Sequence, residues 1–138
     1  MLKPASLRKA LNENVEQLRA NPERLHIFVD EGKVVATLAP SLSWEYRYTL
    51  NVIITDFAGD QNLLIAPVVQ WLRSNQPDLF ANNELRETGF AFEVDILNNT
   101  TCDISIDLKL TERVLVKDNV VQAVLEPAPL DDDEWARS

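Results

Sequence analysis

The sequence predicts an α+β domain: a mainly antiparallel sheet of about five to six strands with two helices packed on one face, in the order α-β-β-β-α-β-β-β. Three observations carry that reading. Every even position from Leu42 to Ile54 is apolar, a period of two held well past the usual strand of about six residues. Two more alternating segments follow, Phe90 to Ile96 and Cys102 to Leu110, joined by a short polar link. Two other segments repeat their apolar residues at helical spacing: Leu7, Leu11, Val15 and Leu18, then Leu64, Val68, Trp71 and Leu72. Short connections favour antiparallel neighbours, and a sheet with one wet face leaves the other for helices.

The elements follow in order. Pro4 or Ser6 starts the first helix, and Asn21-Pro22 stops it, because proline disfavours helical backbone in the residue before it. Leu25, Ile27 and Val29 then alternate inward against His26 and Phe28. Asp30-Glu31-Gly32 reads as a turn into a second strand, Lys33 to Leu38, making a hairpin. The third strand is the long one. Trp44, Tyr46, Tyr48 and Leu50 belong to its buried face, with Trp71 of the second helix packed against it, while Glu45 and Arg47 point outward. Fourteen residues reach roughly 45 Å, so the strand bends over the core or projects past it toward a neighbour. Asp56 to Asp60 ends it, and the helix at about 62–75 contains Pro67, which delays its regular part or kinks it. An irregular stretch near 79–88 precedes the two alternating strands, and Val120 to Leu125 adds a short last one. Residues 1–125 form a single domain. Residues 126–138, with Pro127, Pro129 and the acids Asp131 to Glu134, read as an acidic disordered tail.

Composition narrows the function. The 138 residues carry a formal net charge of −9, which opposes specific nucleic-acid binding and anionic membranes. No apolar run is long enough to span a bilayer, and the start shows no apolar signal region. The single cysteine, Cys102, cannot form an intrachain disulfide, which fits a reducing cytoplasm. Catalytic, cofactor and metal sites find no support. One histidine and one cysteine do not make a zinc site of the usual kind. Three dispersed glycines cannot form a phosphate-cradling loop, and Asp56 and Asp60 are better read as helix caps than as calcium ligands. No small-molecule substrate is implied.

One feature resists the bland reading. Glu93, Asp95, Asp103 and Asp107 fall on the outward side of two adjacent strands, relieved mainly by Lys109 and Arg47. Like charges across a hairpin cost stability. These four acids, with Glu45 and Arg47, are therefore the candidate lumen-facing or interface residues.

Four blocks read together resemble a known family. They are Met1-Leu-Lys-Pro4 with Leu7-Arg8; Phe28-Val-Asp-Glu-Gly32; the block from Leu42 to Asp60; and the block from Leu64 to Asp78, with Asp103-Ile-Ser-Ile106 and Leu110-Thr-Glu-Arg113 beyond it. Over roughly residues 1–125 the chain is similar to the tail completion protein R family of contractile-tailed temperate bacteriophages and their prophages. The resemblance implies a non-enzymatic structural protein acting late in tail assembly, in the host cytoplasm and then in the virion tail. It implies a role like that of tail terminators, α+β subunits in hexameric rings. The partners would be further copies of the chain, the tail tube or sheath protein, and head-completion proteins, with DNA passing through unbound. The competing reading is an acidic module that sequesters a basic protein or mimics DNA.

Overall fold

The computed structural model describes residues 1–38 and 40–124; the proposed tail at 126–138 lies outside them. Five strands, β1 (Leu25–Ala36), β2 (Ser43–Ala58), β3 (Phe90–Ile96), β4 (Thr101–Lys117) and β5 (Val120–Val124), form one antiparallel sheet. Its order is β1-β2-β4-β3, with β5 also paired to β4. Since β2 occupies one edge of β4, β3 and β5 lie end to end along the other. The even residues of β2 and β4 meet in register, Tyr48 with Leu110, Leu50 with Leu108, Val52 with Ile106 and Ile54 with Ile104. All eight are buried. The long period-two signal thus becomes the core face of the two central strands.

Helices α1 (Lys3–Asn14), α2 (Glu16–Ala20) and α3 (Asn62–Asn75) supply the other half of the core through Leu7, Leu11, Leu18, Leu64, Val68 and Leu72. The Trp71 indole Nε1–H donates to Ser6 Oγ at 3.0 Å, tying α3 to α1. Asp60 Oδ1 accepts the Asn62 backbone N–H at 2.9 Å, taking up one free donor where α3 begins. The helix runs from Asn62 through Pro67, so proline does not delay it.

Four sequence expectations are corrected. The single first helix is two, because Val15 is extended at φ −113°, ψ 110°. The break keeps both Val15 and Leu18 in the core. The expected hairpin at 25–38 is one continuous strand with a bulge. Between Asp30 and Lys33, two residues of β1, Glu31 and Gly32, face one of β2, Tyr48, and Glu31 takes up the left-handed conformation at φ 50°. The extra residue swaps parity, so Leu25 and Ile27 face the helices before it and Val34 and Ala36 share that side after it. A second bulge carries β2 past Asp56, also left-handed at φ 53°, and sets Phe57 into the core. Finally, the stretch near 79–88 is not irregular but holds α4 (Asp78–Ala81) and α5 (Asn83–Thr88). The Asn82 side chain caps α5 by accepting from two backbone N–H groups.

β4 also outruns its expected end at Leu110 by seven residues. Asp118 and Asn119, both at positive φ, then turn the chain into β5, the pattern of a two-residue type I′ hairpin. The sheet therefore outgrows its helices. Beyond Tyr48 the same face carries Tyr46 and Trp44, only half-buried, and Leu42, which is exposed.

Candidate assembly surfaces

Between β3 and β5 the outer edge of β4 has no strand neighbour at Thr111. A polar network fills the gap. Gln76, just past α3, accepts the Thr111 backbone N–H at 3.0 Å and donates to Thr111 Oγ1 at 3.0 Å. Lys3 Nζ donates to the Thr111 carbonyl at 2.5 Å and to Gln76 Oε1 at 2.6 Å. On the core face, Glu112 accepts from the Tyr48 hydroxyl at 2.7 Å and from the Leu2 backbone N–H at 2.7 Å. Lys3, Gln76 and Glu112 are all buried. Gln17 plays the same part at the end of β2, where its amide accepts from Ala58 N–H at 2.8 Å and donates to the Ala58 carbonyl. Two glutamines thus satisfy strand backbone where no strand is present. Sequence reading missed both, since the paired residues lie 35 and 41 positions away and no local pattern links them.

Burial pushes the Tyr48 phenol well above its ordinary value, and the hydrogen bond to Glu112 and that carboxylate's charge push it further. The unfolded chain therefore releases this proton first as pH rises through about 10. Stability is full below that pH and falls above it, by up to about 1.4 kcal/mol per pH unit. Urea midpoints measured from about pH 8 to 11 should decline less steeply for Tyr48→Phe than for the parent. The variant should start about 1–2 kcal/mol lower, because Glu112 loses a buried donor.

The open sheet face is not uniformly acidic. Glu93, Asp95, Asp103 and Asp107 do share it, with Asp95 directly opposite Asp103. Two of them have local duties. Asp103 Oδ1 accepts the Asp56 backbone N–H at 2.9 Å and so holds the β2 bulge, and Asp107 Oδ1 accepts from Asn51 Nδ2 at 2.6 Å. Glu93 and Asp95 are exposed. Farther along β4 the same face changes sign, as Lys109, Arg113 and Lys117 follow. Arg47 and Lys33 lie beside them across the sheet. Arg47 and Glu45 form an exposed ion pair at 2.7 Å, which contributes little to stability. The face is acidic at the β3 end and mainly basic at the projecting end.

The projecting end has an apolar side as well. On the face that the helices cover elsewhere, Ala36, Trp44, Val114 and Ala123 form one row across four strands. Val116 and Val121 form the next row toward the tip. Trp44 meets Tyr46 edge to face, with ring centroids 6.2 Å apart. Its indole Nε1 is buried yet has no hydrogen-bond acceptor. Val34 and Val121 are each 64% exposed.

His26 is on the open face and Cys102 on the core face, with β2 between their strands. Among the described residues, no group of three or more His, Cys, Asp or Glu is arranged to hold a metal, and no helix is long and apolar enough to cross a membrane.

Comparison with known proteins adds the remaining finding. The model of the P2 phage tail completion protein R family matches residues 1–127. Tail completion protein R of Escherichia phage P2 is 54% identical over 133 residues, covering 94% of this chain and 86% of the relative. No solved structure matches.

Proposed function

We propose that this chain, which belongs to the P2 phage tail completion protein R family, finishes the phage tail as a ring of identical copies at the head-proximal end. It is a structural component of the virion tail and works through contacts with other tail components. The observation that carries the ring is the sheet itself, which outgrows its helices and leaves a half-buried Trp44 and exposed Val34 and Val121 at one end. A stable monomer has no use for such an end. A hexamer is the expected size. The partners are the tail tube or sheath protein on one side and head-completion proteins on the other. No chemistry is assigned to the chain. A net charge of −9 suits a ring through which DNA passes without being held. Of the two roles open to the acid-rich face, lumen lining and subunit contact, the segregation of acids and bases along β4 favours contact.

The test is a phage or prophage from which this gene is deleted. Heads and tails should accumulate separately, and adding the purified protein should restore joined particles. Electron microscopy should then locate it as a ring at the head-proximal tip. Tails that join heads normally without it, or protein found only at the opposite end, would overturn the assignment.

A further inference from the structure

The ring needs two surfaces that fit each other, and the subunit carries a matched pair at opposite ends of its sheet. At the projecting end, Val34, Leu42, Trp44 and Val121 form an uncovered apolar shelf on the helix side. On the opposite, open face of the same end, Lys33, Arg113 and Lys117 carry positive charge. At the other end, edge strand β3 turns Phe92 (55% exposed) and Ile96 (76% exposed) to the helix side. Glu93 and Asp95 alternate with them. Edge strands in soluble proteins are usually blunted with lysine, proline or a covering element. β3 contains neither lysine nor proline, and its only charged residues are the acids Glu93 and Asp95.

We infer that the shelf of one copy seats on the β3 end of the next, with the apolar helix-side surfaces together and the basic open face of one alongside the acidic open face of the other. The occupant is a second copy because the complement to the shelf, in both hydrophobicity and charge sign, is present on the same chain. One subunit cannot satisfy itself, since the two surfaces lie at opposite ends of a rigid sheet. Such a contact is heterologous, and repeating it closes a ring when the rotation per subunit allows. Long lysine and arginine stems can cover apolar surface while their charged heads reach past the edge. The inference rests on the ring reading but can fail separately from it.

Two double variants of the full-length protein test the contact. Val34→Glu with Val121→Glu spoils the shelf, and Phe92→Glu with Ile96→Glu spoils the β3 end. All four positions are exposed, so the fold is retained, as circular dichroism would check. Sedimentation of the parent should show assembly at high protein concentration. Each double variant alone should associate at least about a hundredfold more weakly and sediment as a monomer. Mixed in equal amounts, the two should form a one-to-one dimer and nothing larger, because one intact shelf meets one intact β3 end. Misfolded variants could not produce that dimer. Variants that still assemble like the parent would overturn the contact while leaving the ring standing. So would a mixture that stays monomeric, or a parent that stays monomeric at its highest soluble concentration. Open chains that dimerise as predicted in the mixture but never close would keep the contact and overturn the ring.

Discussion

Leu50→Ala lowers the stability of the subunit by about 3–4 kcal/mol, while Trp44→Ala costs under about 2 kcal/mol. Both residues lie on the same face of β2, and alternation alone would predict equal costs of roughly 3 kcal/mol. Burial separates them. Leu50 is fully enclosed, between Val29 and Leu108 on the neighbouring strands and the helices above, so its loss leaves a cavity that the core cannot close. Trp44 sits where the helices have ended and is half-buried in the single subunit. Its larger side chain therefore loses less. Glu45→Ala, which removes only the exposed pair with Arg47, should cost under about 0.5 kcal/mol. Urea midpoints at a protein concentration low enough to avoid association measure all three. A Trp44→Ala variant as damaged as Leu50→Ala would mean that the projecting end packs on the subunit's own core.

That contrast locates the limit of what the sequence reveals. Period two identified the buried face of β2 correctly from Tyr48 to Ile54, because alternation depends only on the pleat. It could not tell where the helices stop, since Trp44 and Leu42 continue the pattern over a surface that no helix covers. The two bulges were illegible for a different reason. Glu31 and Asp56 hold left-handed backbone without being glycine, and Asp-Glu-Gly at 30–32 has the composition of a turn. The assembly surfaces were half visible. Glu93, Asp95, Asp103 and Asp107 were placed on one face from alternation, and register puts them there. Ending the fourth strand at Leu110 concealed Arg113 and Lys117. From the sequence the face is therefore acidic and relieved mainly by Lys109 and Arg47, whereas in the fold it changes sign along its length.

Gln76→Leu is expected to be about as damaging as a core cavity, on the order of 3 kcal/mol, although it adds hydrophobic surface. The reason is the gap in the edge of β4. With the amide gone, the Thr111 N–H loses its acceptor, Lys3 Nζ loses one of its acceptors, and Thr111 Oγ1 and Asp78 Oδ1 lose a donor. A buried donor left without a partner costs about 1–3 kcal/mol, and a charged one more. Leucine matches glutamine approximately in volume, so packing changes little and the loss reports polar satisfaction. Gln76→Glu separates the terms. It keeps an acceptor for Thr111 N–H and places a negative charge beside Lys3, but it loses the donors and faces Asp78. It should therefore recover part of the loss at neutral pH, where the new carboxylate is ionised, and give that part back as pH falls below about 4. Equal stability of the leucine variant and the parent would mean that water satisfies the β4 edge and that Gln76 is dispensable there.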